Sequence, residues 1–287
     1  MKTFGPRQAL WLSIAAALAT IALKAGAWWL TGSVGFLSDA LESLVNLAGA
    51  SFALLMVTLA HTPPDAEHPF GHGKAEYFSA AFEGMLIFVA ALVILAAAGE
   101  RLLHPQALQS LGWGTTLSVI ASLINLAVAR VLFRVGRAHR SIALEGDARH
   151  LMTDVWTTAG VVVGVGLAWT SGQHWIDPVV AIAVALNILR EGFHLMRRST
   201  DGLMDRALDD DDLRRIEAAL ASFRPRGCSF DNLRTRAAGA MRFARVDMRV
   251  PGSWSVTQAH DLADEVERAV LHAGITLDTH VEPLDGN

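Results

Sequence analysis

Two short runs of polar side chains interrupt long apolar stretches of this chain, and their spacing defines a chemistry. Asp39, Glu42 and Asn46 lie three and four residues apart, so a helix sets all three on one face. His150 and Asp154, four apart, share a face of a second helix. If the two faces meet, Glu42, Asn46, His150 and Asp154 bring two carboxylates, one imidazole and one amide oxygen around a point. Such a set suits a four-coordinate divalent ion. Its two negative charges offset most of the cost of holding a dication away from water. The plainer reading is that these residues hydrogen-bond between helices and do nothing more. Asp39 is either an outer-vestibule group or an acid that positions its helix. Lys24, Glu83 and Asn125 are further polar residues in apolar stretches; Lys24 and Glu83 could each pair with another buried charge, which the sequence does not identify.

A second set lies in the connection Pro63–Glu76, where Asp65, His68 and His72 are spaced like metal ligands and Pro and Gly shape the loop. Three donors leave a coordination position open to water, so exchange there could be fast. Near the C-terminus, Asp231, Asp247, His260, His280 and Glu282 are scattered over several elements. His280 and Glu282, two apart on a strand, share a face. The single cysteine, Cys228, excludes an intramolecular disulfide and a CxxC zinc site; it reads as a small buried filler in a reducing compartment.

The elements that must position these groups follow from hydropathy. A helix needs roughly 20 mostly apolar residues to cross a bilayer. Six stretches qualify: Ala9–Leu30, Val34–Leu59, Tyr77–Ala98, Leu111–Phe133, Ala143–Thr170 and Trp175–Met196. Lys2 and Arg7 precede the first as in a signal peptide, but the run lacks a small-x-small cleavage site and reads as a span. Lys2, Arg7, Lys74, Arg130, Arg134, Arg137, Arg140, Arg197 and Arg198 fall on one side of these spans, with little beyond Arg101 on the other. The positive-inside rule therefore expects both termini in the cytosol. After residue 200 the composition becomes that of an ordinary soluble domain. Asp209–Asp212 open an amphipathic helix, where acids suit the positive end of its dipole and are expected to be solvated. Strands at Ser229–Thr235 and Met241–Val250, a helix at Ser255–His272 and a strand at Ile275–Pro283 follow. The expected architecture is an α-helical membrane domain of six spans (1–200) followed by a small cytosolic α+β domain of order α-β-β-α-β (201–287).

Composition agrees: 52% of residues are hydrophobic and 18% charged, well below the roughly 25% charged of a soluble protein. A net charge of −4 gives no footprint for nucleic acid. A membrane metalloenzyme or a metal sensor is the competing class. No HExxH pattern or nucleophile motif supports the enzyme, and no signalling or DNA-binding module supports the sensor.

Taken together, Ser38–Asn46, His68–Glu76, His150–Asp154, Asp177-Pro178 and Leu203-Met204-Asp205 resemble the motifs of the cation diffusion facilitators, exporters of zinc, iron, cobalt and manganese. The resemblance implies a proton-coupled homodimer without enzymatic activity. It places the transport site on Glu42, Asn46, His150 and Asp154 and a loop site on Asp65, His68 and His72. A dimer-interface metal cluster falls on Asp231, Asp247, His260, His280 and Glu282, with a metallochaperone-like fold for that domain. Lys74 and Asp205 fall where the family has an interlocking salt bridge at the dimer hinge. The chain departs from the family in its second span, which usually carries Asp or His followed four later by Asp. With Asn46 one titratable carboxylate is lost, so manganese, iron or cobalt stand beside zinc. Asp231 and Asp247 stand where zinc and iron exporters often have His. The expected cycle loads metal past an acidic loop (Asp65, Glu67, Glu76), rocks the helices, and releases metal as protons compete for His150.

Overall fold

The computed structural model describes residues 5–31, 34–104, 113–173 and 175–284. Six long helices come first: α1 (Pro6–Thr31), α2 (Val34–Ala60), α3 (Ala75–Leu103), α4 (Trp113–His139), α5 (Ile142–Ser171) and α6 (Ile176–Leu203). At 1.5 Å per residue each is about 40 Å long, more than the roughly 30 Å of a hydrocarbon core. Four of them contain segments apolar enough to cross a membrane: Pro6–Gly26, Ala75–Leu103, Thr116–His139 and Pro178–Leu203. Among the described residues of α2 the apolar run is shorter, Asn46–Ala60. Of the six spans expected from hydropathy, four are thus clear among the described residues.

Burial is inverted relative to a soluble protein. Trp11, Leu55, Val93, Leu123, Leu186 and Phe193 are exposed, whereas Asn46, Glu83, Asn125, Asp147, His150 and Asp154 are buried. Helices that face lipid outward and polar groups inward satisfy both solvents. α2 packs on α1, α3 and α5, and α4 packs on α1 and α5. α3 and α6 approach to backbone contact: a Cβ on Gly192 would lie 2.9 Å from the Phe88 nitrogen and 3.0 Å from the Gly84 carbonyl. Small residues permit such approach between helices in lipid.

The first turn of α5 is pinned from two sides. The Ser141 hydroxyl accepts from the Leu144 N–H at 3.4 Å and donates to the Glu76 Oε2 at 2.6 Å. Glu76 also accepts from the Ala143 N–H at 3.4 Å. Glu76 is 2% exposed, so it holds α5 to α3 and does not belong to a cation-gathering acidic loop as expected. Gly172, at φ +70°, ends the helix.

The chain divides into two compact units, Met1–Thr200 and Asp201–Asn287. In the second, α7 (Asp210–Ala221), β1 (Ser229–Ala238), β2 (Met241–Val250), α8 (Val256–His272) and β3 (Thr276–Pro283) form a three-stranded sheet with helices on one face. β2 is central, antiparallel to β1 and parallel to β3. Ala244, Val246, Met248 and Val250 alternate inward onto Ile216, Leu262, Val266 and Val270. Asp209 caps α7 by accepting from the Asp212 N–H at 2.9 Å. Asp212 itself is 1% exposed and pairs with Arg242, so this acid is a buried anchor and the expected solvated helix start covers only its neighbours. Cys228 is buried as expected, and that burial pushes its thiol pKa up.

Candidate metal centre

Asp154 is where the helices converge. Its Oδ2 accepts from the Asn46 side-chain amide of α2 at 2.5 Å and from the Asn125 amide of α4 at 3.0 Å. The Asn46 Oδ1 lies 2.6 Å from the His150 Nε2, one turn back on α5. An Nε2–H donor closes this chain, His150 to Asn46 to Asp154, with each amide's orientation fixed by its partners. Asp154, His150, Asn46 and Asn125 are each 8% exposed or less. Behind the imidazole, the Nδ1 of His150 faces the Glu83 Oε2 at 3.6 Å. The structure thus brings together Asn46, His150 and Asp154. Glu42 and Asp39 lie in α2, but their side chains are outside the described residues. Lys24 is half-buried on α1.

The sequence reading missed the role of Asn125 and all of Asp147. Asn125 stood alone in its span, with no spaced companion to mark it. Asp147, 1% exposed on α5, sits one turn before His150, within the expected fifth span. Glu83, named without a partner, proves to face His150 and lies within electrostatic reach of Asp147 and Asp154.

In the loop, Asp65, His68 and His72 each offer a ligand atom within 4.8 Å of the others, alone among the described residues. The Asp65 Oδ1 accepts from the backbone N–H of His68 at 2.6 Å and of Glu67 at 3.0 Å. It lies 3.3 Å from the His68 Nδ1, and the Oδ2 lies 3.4 Å from the His72 Nε2. Ligands about 2.1 Å from a tetrahedral zinc stand roughly 3.4 Å apart, so these separations fit a metal. The buried Nδ1 of His72 has no hydrogen-bond partner among the described residues. The backbone N–H of His68 above all holds the Asp65 carboxyl below its usual range. Gly71, at φ +79°, makes the turn that folds His72 back.

In the C-terminal unit the outward face of the sheet carries a row across three strands: Asp231 opposes Asp247, and Asp247 opposes His280. Arg249, next on the same face of β2, lies 3.2 Å from the Asp231 Oδ2 and 3.6 Å from the Glu282 Oε2. The Asn232 amide donates to the Asp247 Oδ2 at 2.7 Å. His280 lies 3.8 Å from Glu282. His260 is exposed on α8, the helix packed on the opposite face, and lies 3.9 Å from Asp264. Within one protomer, then, a guanidinium already stands where the acids of this cluster would hold a cation. Of the expected hinge pair, Lys74 belongs to the first unit; Asp205, at φ +57°, belongs to the second and pairs with Arg236.

Helices with polar interiors and lipid-facing apolar surfaces, with a carboxylate, an imidazole and amides at their centre, describe a membrane carrier of cations. Comparison with known proteins agrees. Residues 10–204 match the cation efflux transmembrane domain and residues 208–284 the cation efflux protein cytoplasmic domain. An uncharacterized transporter of Synechocystis, sll1263, is 48% identical over 276 residues, 96% of this chain and 89% of that protein. The cation-efflux pump FieF of Klebsiella pneumoniae is 34% identical over 257 residues, 90% of this chain and 85% of the pump. FieF of Yersinia enterocolitica is 34% identical over 273 residues, 94% and 90% respectively. The chain belongs to the cation diffusion facilitator family and is a membrane transporter of the cation efflux type, with a C-terminal domain of the dimerisation kind.

Proposed function

We propose that this protein exports a divalent transition-metal ion, Zn2+ or else Fe2+, Mn2+ or Co2+, from the cytosol in exchange for protons, by alternating access. The cargo binds Glu42, Asn46, His150 and Asp154 between α2 and α5, in a domain of six spans with both termini in the cytosol of a bacterial inner membrane. The observation that carries this reading is the convergence of Asn46 and His150 beside the buried Asp154 carboxylate. A bound dication replaces the amide hydrogen bonds to Asp154. Protons reverse the step by competing with the metal for the same ring nitrogen of His150. Asn46 cannot ionise, so the proton stoichiometry is low and His150 is the principal carrier. The amide and carboxylate oxygens favour harder ions more than a thiolate site would.

The loop triad Asp65, His68 and His72 would hold a second metal, whose charge there ties the Pro63–Glu76 connection together. The C-terminal donors Asp231, Asp247, His260, His280 and Glu282 enter this reading as ligands shared between two copies of a homodimer, in which Lys74 and Asp205 form the hinge bridge. Asp39 positions the outer end of α2. The test is uptake of Zn2+, Fe2+, Mn2+, Co2+ and Cd2+ into liposomes holding the purified protein under an imposed pH gradient. Metal-dependent proton flux that is lost in His150→Ala and Asp154→Ala is expected. Uptake indifferent to the gradient, or undiminished in both variants, overturns the proposal.

A further inference from the structure

Glu83 is a costly side chain to bury in the membrane domain. It is fully buried, and neither carboxylate oxygen has a hydrogen-bond partner among the described residues. A buried carboxylate without hydrogen bonds costs several kcal/mol, so it persists where something else requires it. The surroundings are shaped to admit it. A Cβ on Gly49 of α2 would lie 2.5 Å from the Glu83 Oε1, so a side chain there would push the carboxylate from its place. On the other side Gly146 of α5 lets the Glu83 stem approach, with a Cβ there 3.4 Å from that of Glu83. What the carboxylate meets in this space is the Nδ1 of His150 at 3.6 Å, while the Nε2 of the same ring faces Asn46.

We propose that Glu83 is the positioning residue of the transport site: it takes the Nδ1–H of His150 and so presents the Nε2 lone pair to the metal. A histidine bound to metal through one nitrogen donates its other N–H to a carboxylate or carbonyl, which fixes the tautomer and raises the ligand's basicity. At 3.6 Å the contact is too long for a hydrogen bond without metal. Metal at Nε2 replaces the bond to Asn46; the single proton of the neutral ring passes from Nε2 to Nδ1, with none gained or lost overall, and the ring closes on Glu83. Glu83 stands outside the donor set, in the field of neighbouring acids, and acts on the metal only through His150. Asp147 and Asp154 are the other acids that share this field.

The inference rests on the transport-site reading, and the test separates the two. Zn2+ binding is measured by equilibrium dialysis on the full-length, detergent-purified protein carrying Asp65→Ala, His68→Ala and His280→Ala to silence the loop and the C-terminal face. Glu83→Gln is expected to weaken binding about 10- to 100-fold. In a His150→Ala background the same substitution is expected to cost nothing further, a coupling that a merely structural role does not produce. Gly49→Ala, which displaces the carboxylate and leaves Glu83 in place, is expected to weaken binding in the same direction, with folding checked by thermal unfolding. Wild-type affinity in Glu83→Gln, or an equal loss with His150 absent, overturns the role of Glu83 and leaves the site intact. Unchanged binding in both His150→Ala and Asp154→Ala removes the site itself.

Discussion

Arg249 offers the sharpest quantitative prediction. Its guanidinium bridges Asp231 and Glu282 at 3.2 and 3.6 Å on the outward face of the C-terminal sheet. Side-chain exposures of 34%, 50% and 37% leave both pairs partly in water, although the Arg249 Nε that makes them is itself covered. Each is therefore worth about 0.2–1 kcal/mol, not the several kcal/mol of a dry pair. Replacing Arg249 with Gln removes about 0.4–2 kcal/mol of internal neutralisation and leaves Asp231, Asp247 and Glu282 uncompensated. A cation from solution no longer has to displace the guanidinium, so its affinity for this face rises by about 2- to 30-fold. The assay is calorimetric titration of Zn2+ into the full-length protein with Asp154→Ala and His68→Ala suppressing the other two sites, with and without Arg249→Gln. The gain should shrink as salt is raised, since these charges are exposed. An unchanged or weaker affinity in the Arg249→Gln protein, or no binding at this face in either protein, refutes the reasoning.

Other expectations concern the scaffold and the loop. Glu76→Ala leaves the buried Ser141 hydroxyl and the Ala143 N–H without their acceptor and should cost about 1–3 kcal/mol, read as a lowered thermal midpoint in detergent. Gly192→Ala places a methyl against backbone atoms of α3 that cannot yield, and should destabilise by about 1–3 kcal/mol in the same assay. Because the Asp65 pKa is depressed, its contribution to the loop is present above the ordinary carboxylate range and lost only as pH falls through the lower folded value. Asp65 should therefore not be the group that releases loop metal between pH 7 and 5; equilibrium dialysis of Asp65→Asn should show weaker binding throughout that interval. Cys228, buried with a raised pKa, should resist maleimide at pH 7 until the protein is unfolded.

Much of this was legible in the residues because the governing periods are strict. Three- and four-residue spacing set Asn46 on a face of α2 and His150 with Asp154 on a face of α5, and the alternation of Val246, Met248 and Val250 marked the sheet's inner face. The row Asp231, Asp247, His280 could not be read that way, since it depends on strand register across a parallel and an antiparallel pairing. Arg249 escaped notice because basic residues on a strand's outer face are ordinary; only its diagonal reach to two acids distinguishes it. Glu76 and Asp212 looked like solvated acids in polar segments, and became buried anchors only when a partner from another element covered them. Glu83 was visible as a charge in an apolar run, but its partner lies on α5, sixty-seven residues on, and pairwise contact at that distance leaves no periodic trace.

An ion held between α2 and α5 is tested directly by an anomalous difference map from crystals grown with Zn2+. The expected peak lies about 2.0–2.2 Å from the His150 Nε2 and from an Asp154 carboxylate oxygen, with the Asn46 side chain turned to it. Anomalous density at the Asp65–His68–His72 loop with none between these helices, at saturating metal and neutral pH, would contradict it.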